Sequence, residues 1–149
     1  MIPLEKAFAK ACRYCAYQER SHYEVREKLY GWGLWKKDVE EILSRLITEG
    51  FLNEERFAIA FAGGKFRMKK WGRIRIAAEL KKRKVSEYCI RRALEEIPEG
   101  DYSKTLNEVI RKKSGKELPH DRATLSSVAR YAVSRGFEPE LVWEALKAE

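Results

Sequence analysis

The sequence predicts an all-α protein, three tandem three-helix repeat units forming an elongated or curved array. Apolar residues recur at helical spacing in three places: Val39, Ile42, Leu43 and Leu46; Ile90, Ala93, Leu94 and Ile97; and, in shorter form, Val142, Ala145 and Leu146. Each is the i, i+3, i+4 stripe of an amphipathic helix. The stripes superimpose, with Val39 to Ile90 and Leu43 to Leu94 51 positions apart and Ile90 to Val142 and Leu94 to Leu146 52 apart, as a repeat architecture requires. Strand signals are weak, without sustained period-two alternation or an Asn-Gly or Asp-Gly turn between β-branched runs.

The register extends backward into the preceding helix of each unit, where Val25, Ile76 and Val128 correspond, as do Leu29, Leu80 and Ala132, and Leu34, Val85 and Phe137. Unit one (residues 1–50) is expected to hold helices over Glu5–Gln18, His22–Tyr30 and Lys36–Glu49. Its second helix opens on Ser21-His22-Tyr23-Glu24, a capping box in which the Ser hydroxyl and the Glu carboxylate each satisfy a free N–H. Unit two (51–98) holds Glu54–Met68, behind Asn53 as N-cap, then Arg73–Arg83 and Ser86–Ile97. Unit three (99–149) holds Tyr102–Ser114, behind Asp101 as N-cap, then Arg122–Arg135 and Pro139–Ala148, with Pro139 at the first helical position. Gly33 and Gly136 sit where the second helix turns into the third, a place suited to a left-handed residue. The matching residue in unit two is Lys84, at a cost of order 1 kcal/mol if it is left-handed. A unit this small buries little on its own, so neighbours stack through their stripes.

The chain has 149 residues, 44% hydrophobic and 36% charged, too apolar for disorder and too charged for a membrane bundle. No apolar run approaches the roughly 20 residues of a spanning helix, and Met1-Ile2-Pro3-Leu4-Glu5 lacks the regions of a signal peptide. Three cysteines do not make a disulfide scaffold. A cytoplasmic monomer with no membrane partner is expected. The net charge is +8, and it is local. Units one, two and three hold 9 basic against 8 acidic groups, 13 against 6, and 9 against 9, giving +1, +7 and 0. Within unit two, Lys65, Arg67, Lys69, Lys70, Arg73, Arg75, Lys81, Lys82, Arg83 and Lys84 are opposed by Glu79 alone, a local +9 over twenty residues.

Sites for chemistry are scarce. Cys12 and Cys15 form Cys-x-x-Cys, but on a helix they share a face with Phe8 and Ala16, where cysteine acts as a small apolar residue. No second such pair follows, Cys89 belongs to another unit, and a closed zinc site wants four ligands. His22, just inside a capped helix, and His120, in a loop beside Pro119, both read as solvated, so no metal cluster or cofactor site is legible. Carboxylates are mostly helix-start groups or i, i+4 partners such as Glu24 with Lys28. Gly63-Gly64-Lys65 has neither the spacing nor the strand of a phosphate loop. The glycine pair instead weakens or kinks a helix end, by roughly 1 kcal/mol per Gly. No nucleophile elbow exists, and the protein reads as non-enzymatic. A basic run is ordinarily a solvated helix face, but this one is nearly unopposed and centred on Trp71. That ring could stack on a base or pack as an anchor; packing is favoured because Trp71 aligns with Arg20 before the second helix. The candidate binding set is the ten cations with Trp71.

The residues also carry a family resemblance. Arg20-Ser21-x-x-Glu24-Val25-x-x-Lys28-Leu29, the junction Glu49-Gly50-Phe51-Leu52-Asn53-Glu54-Glu55-Arg56-Phe57-Ala58, Gly72-Arg73-Ile74 with Glu79-Leu80, Arg122-x-x-Leu125 and Arg135-Gly136-Phe137 make the chain resemble the RecX family, bacterial regulators of the RecA recombinase, from Leu4 onward. The resemblance implies three tandem three-helix units and a protein that binds the RecA filament on single-stranded DNA. It implies restraint of ATP hydrolysis, strand exchange and co-protease activity in DNA repair and recombination. Two departures stand out: Lys84 in place of a glycine before Val85, and the segment Lys113–His120, which lengthens a loop in unit three. The partners expected are the RecA filament and, through it, single-stranded DNA. The alternative is a direct single-stranded nucleic-acid-binding module acting by competition, and a thiol oxidoreductase using Cys12 and Cys15 stands third.

Overall fold

In the computed structural model of the chain, which describes residues 2–115 and 121–147, every regular element is an α-helix. In chain order they are α1 (Leu4–Tyr17), α2 (His22–Gly31), α3 (Lys36–Thr48), α4 (Glu54–Lys69), α5 (Arg73–Lys82), α6 (Glu87–Glu95), α7 (Glu99–Ser114), α8 (Arg122–Ser134) and α9 (Pro139–Lys147). Among the described residues each boundary falls within three residues of its sequence expectation. His120, Pro119, most of the loop expected in unit three and Ala148 lie outside the described residues.

Local chemistry accounts for several of the helix starts. The Ser21 hydroxyl accepts from the Glu24 N–H, and the Glu24 carboxylate accepts from the Ser21 N–H, so the capping box before α2 is complete. Asn53 Oδ1 accepts from the Arg56 N–H at 2.8 Å, as an N-cap should. Asp101 does not cap α7. That helix starts earlier, behind Pro98, and takes Asp101 into its first turn, where a carboxylate still favours the positive end of the helix dipole. Gly63 and Gly64 lie inside α4 rather than at its end. A Cβ on Gly63 would come within 2.7 Å of an Arg67 guanidinium nitrogen, so the missing side chain leaves room for that arginine to fold back.

The stripes become the core. Val25, Ile76 and Val128, Leu29, Leu80 and Ala132, and Leu34, Val85 and Phe137 are all buried, as are Val39, Ile42, Leu43 and Leu46. By its contacts the chain forms two compact units, Met1–Ala60 with Leu80–Ala93 and Phe61–Glu79 with Leu94–Glu149. In the first, α1, α2 and α3 pack on one another around Ala7, Ala11, Cys15, Leu29 and Ile42. Cys15 is thus core, with its thiol raised to about 11, first by burial and then by the neighbouring Cys12. The face it shares is the Ala7–Ala11–Cys15 line, while Ala16 is exposed. His22 is half-buried rather than solvated: Nδ1 lies 3.2 Å from Glu54 Oε2, and Nε2 is enclosed without a partner.

In the second compact unit, α7, α8 and α9 pack together. Tyr102, only 1% exposed, stacks on Phe66 at 5.9 Å and meets Phe137 at 5.3 Å. The start of α5 is stitched to the α8–α9 turn by Gly72 N–H to Arg135 O (2.9 Å) and Ile74 N–H to Gly136 O (3.0 Å). Both glycines are required. A Cβ on Gly72 would strike the backbone of Gly136 and Phe137, and one on Gly136, which has φ +102°, would strike Arg75.

Two substitutions test this frame by urea or thermal unfolding. Gly72→Ala forces backbone apart and is expected to cost about 3 kcal/mol or more. Lys84 is left-handed, with φ 61°, and Lys84→Gly is expected to stabilise the protein by about 0.5–1 kcal/mol. A destabilised Lys84→Gly protein would show that the lysine side chain outweighs its backbone strain.

Candidate nucleic-acid interface

The twenty-residue basic run is divided between the two compact units. Lys65 to Arg75 belongs to the second and Lys81 to Lys84 to the first.

In the second unit the run contains two kinds of cation. Arg73 is committed to the fold. Its side chain is 19% exposed and reaches Glu138 at 2.8 Å and Glu99 at 2.7 Å, its guanidinium lies 3.7 Å from the centre of the Tyr102 ring, and its N–H donates to the Tyr102 hydroxyl at 2.9 Å. That hydroxyl in turn donates to Glu138. Burial alone would raise the Glu138 carboxyl, but the hydrogen bonds from Tyr102 and Arg73 outweigh it and hold the group below its ordinary value. Burial and the bond to Glu138 push the Tyr102 phenol well above its ordinary value.

Trp71 is half-buried, with the Arg75 guanidinium 4.2 Å and the Lys65 ammonium 5.3 Å from its ring centre. The half-buried ring thus carries two cations at the α4–α5 turn. Lys65 is also 5.5 Å from the Phe61 ring. Arg67, Lys69 and Lys70 are exposed. Lys70 adopts a left-handed conformation, φ 55°, and lies 3.4 Å from Glu108.

In the first unit, Lys81 and Lys82 occupy the last turn of α5. Arg83 and Lys84 lie in the turn beyond it, so Arg83 is not helical as the sequence had suggested. Lys81, Lys82 and Lys84 are exposed and Arg83 is half-buried; Lys84 lies 6.0 Å from the Tyr23 ring.

The structure adds residues that the basic run did not contain. An open cleft of about 440 Å³ in the second unit is lined by Met68, Lys69, Lys70, Glu108, Val109, Lys112, Tyr131 and Arg135. Arg135 donates from its guanidinium to the Lys69 carbonyl, and Lys113 lies 5.0 Å from the Tyr131 ring centre. The sequence signal for these residues was the basic last turn of α7, Arg111-Lys112-Lys113, which a zero sum over unit three concealed. Among the described residues no group of three or more His, Cys, Asp or Glu side chains is placed to hold a metal ion, and no helix is long and apolar enough to cross a membrane.

Comparison with known proteins decides the family. Residues 7–46 match the first three-helix domain of RecX and residues 53–94 match the second. The chain belongs to the RecX family. It is 32% identical over 138 residues to the regulatory protein RecX of Halorhodospira halophila, an alignment covering 93% of this chain and 84% of that protein. It is 30% identical over 131 residues to the regulatory protein RecX of Pseudomonas syringae pv. tomato, covering 88% and 83%. The crystal structure of RecX from Lactobacillus salivarius superimposes with a TM-score of 0.87 at 19% identity, covering 97% of this chain and 95% of that one; this likeness shows the RecX fold.

The Glu138 cluster makes a pH prediction. A carboxyl held below its unfolded value stabilises the fold above that value, and the contribution is lost as pH falls through the folded one. The stability difference between the native chain and Glu138→Gln should be largest above about pH 5 and narrow below about pH 4, as measured by urea unfolding at each pH.

Proposed function

We propose that the chain binds the RecA–single-stranded DNA filament and modulates it, mainly by inhibiting RecA recombinase, ATPase and co-protease activity in DNA repair and recombination. Membership of the RecX family carries this reading, since relatives across most of its length are regulatory proteins. The exposed cations of the basic run support it. A filament groove collects negative potential from acidic side chains and DNA phosphates, and a concentrated positive segment is drawn to it. Three tandem units, with domains over residues 1–50, 51–98 and 99–149, would add weak contacts through effective concentration. No step requires a cofactor or catalytic residue. In the second compact unit Arg73 and Trp71 then hold the segment in place while Arg67 and Lys69 meet the partner, and in the first unit Lys81 and Lys84 do so.

The test compares affinity for a preformed RecA filament with affinity for the naked strand at equal salt. Tighter binding to the filament is expected, weakening as salt rises. Affinity for naked DNA that equals or exceeds it would leave direct competition for the strand as the mechanism. A Lys69→Gln/Lys81→Gln/Lys84→Gly chain should need roughly fivefold or more protein to half-inhibit RecA-dependent ATP hydrolysis, with helical content unchanged. Unaltered inhibition would remove the basic run from the mechanism.

A further inference from the structure

The cleft at the ends of α4, α7 and α8 gathers positive charge that the second compact unit does not consume internally. Lys69, Lys70, Lys112 and Arg135 line it against the single carboxylate of Glu108. Glu108 lies beside Lys70, and the Arg135 guanidinium is tethered to the Lys69 carbonyl. The ammonium groups of Lys69 and Lys112 make no ion pair among the described residues. Between these cations stand two side chains open to solvent, Met68 at 83% exposure and Tyr131 at 37%, the latter with the Lys113 ammonium 5.0 Å from its ring centre, above a buried Val109. An exposed thioether and an exposed ring beside several cations offer together the apolar face and the positive charge that a stacked base and its phosphates require.

We infer that this cleft holds a short stretch of single-stranded nucleic acid, with a base on Tyr131 beside Met68 and the flanking phosphates on Lys69, Lys112 and Arg135. The inference rests on the reading that the chain acts at a nucleoprotein filament, and it names the component of the filament that this cleft touches. A duplex is a poorer occupant because its base faces are stacked away. A purely acidic peptide such as poly-glutamate would meet the cations but offers no π-face to the ring. Base stacking on an aromatic side chain tolerates any sequence, because every base has a π-face, and the phosphate contacts are likewise indifferent to sequence. The cleft is therefore a sequence-tolerant site of one or two nucleotides.

The experiment uses the intact chain and naked strands, without RecA. Anisotropy titrations compare oligo(dT) with an abasic strand of equal length, and poly-glutamate serves as competitor. Tyr131→Ala is expected to weaken oligo(dT) binding roughly five- to fiftyfold and leave the abasic strand within about twofold, whereas Tyr131→Phe keeps both and Lys112→Gln weakens both. Equal losses of Tyr131→Ala on the two strands, no loss on oligo(dT), or displacement of oligo(dT) by poly-glutamate at matched charge would overturn the inference. If Tyr131→Ala does not fold, 5-bromodeoxyuridine photocrosslinking of the native chain decides. Adducts on Tyr131 or Met68 support the cleft, and adducts confined to other helices refute it. Because RecA is absent, a negative result removes this ligand from the cleft and leaves the filament reading to its own test.

Discussion

The second compact unit depends on how closely two stretches of backbone approach one another at Gly72 and Gly136. The hydrogen bonds they exchange are ordinary in length, 2.9 and 3.0 Å, and two such bonds are worth only about 2 kcal/mol net. Steric exclusion is the stronger term. A methyl group at either position would occupy space already taken by backbone or by Arg75, and backbone has no rotamer by which to give way. This approach also places the residue after Gly72. Arg73 starts α5 beside Tyr102 and Glu138, so its cation meets a hydroxyl-supported carboxylate rather than solvent. Glu99, 84% exposed, adds little to the cluster, because a solvated ion pair is worth at most a fraction of a kilocalorie to about 1 kcal/mol. Glu138 and the ring of Tyr102 supply most of the restraint.

The helical content was legible because its determinants are local. The stripe Val39, Ile42, Leu43 and Leu46 is buried, and Ser21 with Glu24 forms the expected box, since these patterns need only the neighbouring turns. The 51- and 52-residue period puts Leu34, Val85 and Phe137 in correspondence without reference to any tertiary contact. Where the reading failed, the determinant was distant or competing. Gly72 meets a partner 64 positions away, which no local pattern encodes. Asp101 is a good cap residue, but Pro98, with φ −61° and ψ 137°, already gives the chain an extended entry to α7, and the helix starts there. His22 has an ordinary position in its own helix, and it is Glu54 from another helix that meets it.

Summing charge by repeat located the positive segment but could not say which charges are available. Arg73 and Arg75 are adjacent in pattern to Lys69 and Lys81, yet the first is drawn into the Tyr102–Glu138 cluster and the second lies over Trp71. The same summation erased the cations of α7, because acids elsewhere in that repeat cancelled them. A sum is blind to direction. Lys112 counts only because the end of α7 is placed beside Lys69, Tyr131 and Arg135.

That placement has its own electrostatic logic. The last turns of α4 and α7 and the C-cap of α8 carry cations, which favour the negative ends of helix dipoles by roughly 0.3–1 kcal/mol each at the surface. A cation so placed already stabilises its helix, and an arriving phosphate must compete with partial negative charge from carbonyl groups behind it. The net attraction therefore comes from cations in excess of the dipole ends, each equivalent to about half a charge. Four cations, one carboxylate and three such ends leave a surplus of about +1.5, enough to draw a strand in without fixing it tightly. In the proposed strand-binding role so small a surplus would hold the phosphates loosely, and the apolar contact on Tyr131 would decide whether a base remains once they have arrived.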